Sequence, residues 1–224
     1  MACCMLLTAC GGAYSTLDPA GPQATGAAWL WWGMFGFFTL VYVGVIILWF
    51  LGMRRDPGKI SDEEAQRVQN RWILWGGLVL PSVSVTAVLA FGLPVGRVML
   101  PLPPESGEAV AVHVNARQWS WEATYPGTDH TLEDYMLIPV GVPIDVHLSS
   151  RDVVHSFWVP RLAGKMDAIP GHVNTLRIQA DKPGRYRGHC AEFCGTDHTH
   201  MKFVVEAVPQ EEFDNWLEDG QTDD

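Results

Sequence analysis

Between His189 and Met201 the chain reads HCAEFCGTDHTHM: two cysteines, three histidines, a glutamate and a methionine in thirteen residues. Cys190 and Cys194 stand four apart, His198 follows four on, and Met201 three on. A disulfide would account for the cysteines alone, and zinc for cysteine with histidine; neither uses the methionine, a poor zinc ligand. Thiolate and thioether are soft donors that select copper, and one Cys, two His and a Met describe a mononuclear blue-copper set. A second cysteine allows a bridge between two coppers. The second histidine must come from elsewhere, and His155 in RDVVHSFWVP, after an earlier strand-like run, is the candidate. His189 reads as an outer-layer or surface residue and His200 as solvent-facing. His113, His130, His147 and His172 read as ordinary strand or loop residues.

A loop gathers such side chains at one point only if strands hold its ends. Residues 97–224 supply short runs in which Val, Ile and Tyr alternate with polar residues: AVAVHVNA, PIDVHLSS, NTLRIQA, GRYRGHC and KFVVEAV. Clusters such as YPG, PVGVP, IPG and DKPG punctuate them, the pattern of a β-sandwich or barrel. PQEEFDNWLEDG sets Phe213, Trp216 and Leu217 at helical spacing, predicting a short closing helix before an acidic tail. This region holds all eight histidines and 10 Lys/Arg against 20 Asp/Glu, so the formal charge of −10 resides here. Such a balance argues against a nucleic-acid partner and favours a basic one. Five cysteines are too few for a disulfide scaffold.

The first hundred residues are of another kind. WLWWGMFGFFTLVYVGVIILWFL, 29–51, is uncharged and at ~1.5 Å per residue exceeds a ~30 Å hydrocarbon core. A second uncharged stretch over about 72–96 contains Pro81, which predicts a kink. Tryptophans at the ends of the first stretch suit membrane interfaces. The loop between them carries Arg54, Arg55, Lys59, Arg67 and Arg71, whereas 11–28 has no Lys or Arg; the positive-inside rule puts the loop in the cytoplasm and both termini outside. Ser61-Asp62-Glu63-Glu64 reads as the acidic start of a helix leading into the second span. At the start, MACCMLLTACGG resembles a bacterial lipobox, with 1–9 a signal peptide and Cys10 the lipidated N-terminus; 10–28 reads as an external linker. The expected organisation is a membrane-anchored all-β protein: a two-helix transmembrane hairpin over 29–96, then a β-sandwich over 97–224.

The spacing C-x-E-x-C-x3-H-x2-M, with DVVHSFWVP, KMDAIPG (165–171) and QWSWEATYPG (118–127), closely resembles the dinuclear CuA signature of cytochrome c oxidase subunit II. The resemblance covers roughly residues 25–217 and implies a cupredoxin-like sandwich on the periplasmic face of a bacterial inner membrane. It implies that Cys190 and Cys194 bridge two copper ions, that His155 and His198 each bind one, and that Met201 and the Glu192 carbonyl complete the pair. The Glu192 carboxylate would reach a magnesium ion at the border with subunit I. His200 and His172 depart from the residues the family often has there, and neither is a copper ligand. Trp119, with Trp121 expected on the same strand face, matches the point where electrons enter from cytochrome c, and Glu122, Asp129, Glu133 and Asp134 would dock that basic partner. The implied function is electron transfer to haem in subunit I for oxygen reduction coupled to proton transport. With no C-x-x-C-H in this sequence, the donor cytochrome is expected to be separate.

Three other functions compete. A quinol oxidase subunit II shares the architecture, but that class lacks the copper ligands. A nitrous oxide reductase also carries CuA, but it is soluble and typically has Trp where Glu192 stands. A membrane-anchored copper-binding or copper-delivery protein would favour exposed Met/His sites and need neither Trp119 nor Glu192.

Overall fold

The computed structural model describes residues 11–55, 58, 60–102 and 109–219. The lipobox with Cys10 and the tail from residue 220 lie outside the described residues. The chain divides into two compact units, residues 29–96 and residues 1–28 with 97–224.

Helix α1 runs Pro22–Arg54, and a second continuous helix is built from α2 (Asp62–Trp72), a π-helical stretch (Ile73–Val79) and α3 (Leu80–Val98). Both are long and apolar enough to cross a membrane, and their apolar side chains point outward, so neither is the core helix of a soluble fold. The helices extend beyond the uncharged stretches for local reasons. Pro22 takes a first-turn position where no N–H is needed. The Ser61 hydroxyl accepts from Glu64 N–H at 3.3 Å, and Asp62, Glu63 and Glu64 fill the positive end of the helix dipole. Ahead of Pro81, which has no N–H to give, the helix widens so that Leu80 N–H reaches Trp75 O.

The other unit is a sandwich of two five-stranded sheets. In chain order the strands are β1 (Val110–Arg117), β2 (Ser120–Thr124), β3 (Thr131–Glu133), β4 (Tyr135–Pro139), β5 (Ile144–Ser150), β6 (His155–Trp158), β7 (Lys165–Ala168), β8 (Asn174–Ile178), β9 (Gly184–Cys190) and β10 (Lys202–Val208). One sheet has the order β3-β2-β1-β5-β8 and the other β4-β10-β9-β6-β7. The pairs β1–β5 and β4–β10 are parallel. The period-2 alternation seen in the sequence becomes burial: Val112 and Val114 of β1 stand opposite Val146 and Leu148 of β5, and with Ala116 and Ile144 they are buried on the inner side of the sheet. Trp121, Phe157 and Phe203 fill the middle of the core. Helix α4 (Gln210–Asp219) lays Phe213 and Trp216 on Tyr125, and His130 Nε2 meets Leu217 O at 2.9 Å.

Residues 10–28, expected as an exposed external linker, lie against the sandwich between Asp18 and Ala24. Ala20 N–H donates to Arg161 O at 2.7 Å, Asp181 N–H to Ala20 O at 2.8 Å and Ala24 N–H to Leu162 O at 3.2 Å, while Asp18 pairs with Arg161. The small side chains that suggested a linker are what allow this approach: a Cβ on Gly21 would sit 2.1 Å from Gln179 O.

Candidate metal centre

Strand β9 ends at Cys190 and β10 begins at Lys202, paired antiparallel with His189 opposite Lys202. Cys190 N–H donates to Met201 O at 3.0 Å, so the ladder continues one step and sets Cys190 beside Met201. The loop between them folds Cys194 and His198 back over this pair through a 3-10 turn at His198–His200. Ala191 N–H donates to Ser156 O at 2.9 Å, docking the loop on β6, whose first residue is His155. Strand ends thus bring together residues 35 positions apart.

The donors form a continuous cluster. Cys190 Sγ lies 3.8 Å from Cys194 Sγ, 3.9 Å from His155 Nδ1 and 3.2 Å from Glu192 O. Cys194 Sγ lies 3.6 Å from His198 Nδ1 and 3.7 Å from Met201 Sδ. The ligand atoms of His155, Cys190 and Cys194 all fall within 4.8 Å of one another. The sulfurs are far beyond the ~2.05 Å of a disulfide, and both cysteines are free. Donors ~2.0–2.3 Å from a shared ion stand roughly 3.3–3.8 Å apart, so the observed spacings fit bound metal. Two buried thiols with a thioether and two imidazoles form a soft set that fits copper in particular.

Burial, with Cys190 adjacent, pushes the Cys194 thiol up to about 12; a cation beside it would favour the thiolate. Burial also acts to raise Asp152, but hydrogen bonds from His155, Gln118 N–H and Val153 N–H outweigh it and hold the carboxyl at about 2. Its Oδ1 meets His155 Nε2 at 2.8 Å, which leaves Nδ1 directed at Cys190. His189 lies outside the cluster, against Trp158 and Tyr14, and burial lowers its pKa. His200 is exposed and bonds Asp197.

The two tryptophans expected on one face are separated. Residues 118 and 119 form the two-residue turn between β1 and β2, so the alternation restarts at Ser120. Trp119 is 36% exposed, with its indole against Gly195 in the ligand loop. Trp121 is 2% exposed, a core residue whose ring abuts His155, Phe157 and Phe203. The four acids are also unequal. Glu122 pairs with Arg151 and Glu133 with Arg117, so their charges are locally balanced. Asp134, at φ +54°, accepts Trp121 N–H at 2.8 Å as a turn residue; burial raises its pKa. Asp129 is exposed. Glu192 is exposed, with its backbone carbonyl turned to Cys190.

Sequence reasoning missed Asp152 and Gln118. Asp152 was within reach, three residues before His155 in R-D-V-V-H. Gln118 carries no local signal: its amide meets Cys194 O across 76 positions of chain.

Residues 129–208 match the family model described as Cytochrome C oxidase subunit II, periplasmic domain. The chain is 33% identical over 226 residues to cytochrome c oxidase subunit 2 of Alkalihalophilus pseudofirmus, covering 96% of this chain and 65% of that protein. It is 31% identical over 225 residues to quinol oxidase subunit 2 of Bacillus cereus, covering 97% of this chain and 76% of that one. This chain therefore spans about two thirds to three quarters of those relatives' length. The solved periplasmic domain of subunit II of cytochrome oxidase from Bradyrhizobium japonicum is 29% identical, with a TM-score of 0.48 over 52% of this chain and 95% of that one. Kinship along nearly the whole of this chain to relatives on both sides of the donor divide leads to one family: this chain belongs to subunit II of the haem-copper terminal oxidases.

Proposed function

We propose that this chain receives electrons for a terminal oxidase, taking them from cytochrome c at the outer face of a bacterial plasma membrane. It would pass them to haem in subunit I, where oxygen is reduced to water with coupled proton transport. The observation that carries the reading is the convergence of six donors from β6 and the 190–201 loop, with the two sulfurs 3.8 Å apart. In this reading Cys190, Cys194, His155, His198, Met201 and the Glu192 carbonyl would hold two copper ions, the two thiolates serving as the donors shared between them. The Glu192 carboxylate, free of the cluster, would hold magnesium at the border with subunit I. The copper pair supplies a one-electron site with the charge shared between two ions.

The chain's own residues hold that site still and dry. Cys190, Cys194, Met201 and His155 are buried and exclude water. Asp152 fixes the ring of His155. Trp119, half-exposed against Gly195, is where electrons enter, and the net charge of −10 steers a basic donor. Two spanning helices anchor the chain, with the Arg- and Lys-bearing loop in the cytoplasm.

A second reading, a quinol donor, is favoured by the Bacillus cereus relative. Quinol travels within the bilayer and leaves a soft-donor cluster on a strand-end loop without a role, which favours cytochrome c. Copper loading tests the centre: two coppers per chain with one electron spread over both nuclei, lost in Cys194→Ser. One copper per chain, or a Cys190–Cys194 disulfide in the active complex, would sink it. A purified complex that oxidises quinol and not cytochrome c would overturn the donor assignment.

A further inference from the structure

Gln118 occupies the turn between β1 and β2, in neither ligand segment, yet it touches both. Its side-chain amide donates to Cys194 O at 2.7 Å. Its backbone N–H donates to Asp152 Oδ2, also at 2.7 Å, and the other oxygen of Asp152 meets His155 Nε2 at 2.8 Å. One residue therefore links a bridging cysteine to the carboxylate that orients a histidine ligand. Among the described residues, the Gln118 amide ties 192–197 to the β1–β2 turn, beside the contact of Cys190 Sγ at the end of β9 with Glu192 O. Gly195 shows how close the contact is: at φ +125°, a Cβ there would meet Gln118 Nε2 at 2.9 Å and the Trp119 ring at 3.2 and 3.3 Å. The Cys194–Gly195 peptide is the floor on which Gln118 and the indole of Trp119 both rest.

We propose that Gln118 is a positioning residue that clamps the ligand loop to the β1–β2 turn, so that Cys194 and Trp119 keep a fixed mutual geometry with or without metal. The inference rests on the copper reading of the centre, with Trp119 as the place where electrons enter. A carbonyl with a fixed donor cannot rotate freely, and the Cys194 side chain turns with its own peptide. The amide thus sets the aim of Sγ, and Trp119, one residue along, shares the same anchor. Partners that orient metal ligands in this way typically matter about 10- to 100-fold in metal affinity. With five donors besides Cys194 still in place, the lower end is expected here.

Gln118→Met tests the claim because it keeps side-chain length and the backbone bond to Asp152 and removes only the amide. The full chain in detergent should hold copper about 10-fold less tightly against a competing chelator. Its urea midpoint should stay at the wild-type value. Without copper, in chain labelled with 5-fluorotryptophan, the Trp119 fluorine line (assigned through Trp119→Phe) should shift and respond more strongly to a soluble paramagnetic agent. Gln118→Glu, which sets a carboxylate against the Cys194 carbonyl, should bind copper more weakly than Gln118→Met. Copper affinity and a Trp119 line both unchanged in Gln118→Met would overturn the proposal. So would a loss of affinity matched by an equal loss of urea stability, since that marks general packing. If the wild-type chain takes up no copper through Cys190 and Cys194, the copper reading falls, while the copper-free Trp119 line still decides whether Gln118 positions the indole.

Discussion

Gly188, two residues before Cys190 on β9, sits directly opposite Phe203 of β10. A Cβ there would lie 2.2, 2.4 and 2.7 Å from three carbons of the Phe203 ring. Carbon–carbon contact settles at ~3.5–4.0 Å, so the ring would have to retreat by roughly 1.5 Å. It has little room to do so: Phe203 is buried, stacked on Phe157 with centroids 4.4 Å apart, and tilted against Trp121 at 5.4 Å. Elsewhere Gly→Ala in a compatible backbone gains about 0.4–1 kcal/mol through the unfolded chain. Here overpacking, at about 1–3 kcal/mol, should win, because the obstacle is a wedged ring and not a flexible tip. Gly188→Ala is therefore expected to lose about 2 kcal/mol, read by urea unfolding of the copper-free chain in detergent. Phe203→Leu should relieve the clash, so that the double variant is at least about 1 kcal/mol more stable than the two single losses predict. A Gly188→Ala chain as stable as wild type, or additive behaviour in the cycle, would refute the reasoning. Because Gly188 and Phe203 flank Cys190 and Met201, copper retention should fall alongside stability.

Asp134→Ala should lose about 1–3 kcal/mol, since Trp121 N–H loses its acceptor and Ala is strained at φ +54°. Asp134→Asn keeps the acceptor and suits that backbone. Burial raises the folded pKa of Asp134, so its folded form favours the proton and wild type loses stability as pH rises from the ordinary carboxylate range through the raised value. Asn should gain on wild type across that window; a pH-independent difference between them would contradict the assignment. Trp119→Gln should slow electron entry from reduced cytochrome c severely while leaving copper content and donor affinity near wild type, and unchanged turnover in a copper-loaded complex would return Trp119 to packing. Asp152→Asn should weaken copper binding about 10-fold or more by loosening His155, measured by chelator competition; wild-type affinity would show that the carboxylate does not orient the ring. Mass spectrometry of the mature N-terminus should find an acylated Cys10, and an intact Met1 would rule that out.

What the sequence determined was the chemistry and the broad order of elements. Cys190, Cys194, His198 and Met201 lie within one loop, where spacing alone keeps them in reach of each other, and soft donors select copper whatever holds them. The uncharged stretches read as long apolar helices by their length, and the alternating runs as half-buried strands because a period of two follows from local backbone geometry. The tertiary structure decided what depends on contacts between distant segments. It turned Trp121 inward and Trp119 outward, because a two-residue turn resets the alternation that the sequence reads as unbroken. It balanced Glu122 and Glu133 with Arg151, just past the end of β5, and Arg117 of β1. It laid residues 18–24 on the sandwich through backbone hydrogen bonds, which leave no mark on side-chain composition. It also set Gln118 against Cys194, a hydrogen bond that only the packing of the two sheet ends brings within 2.7 Å.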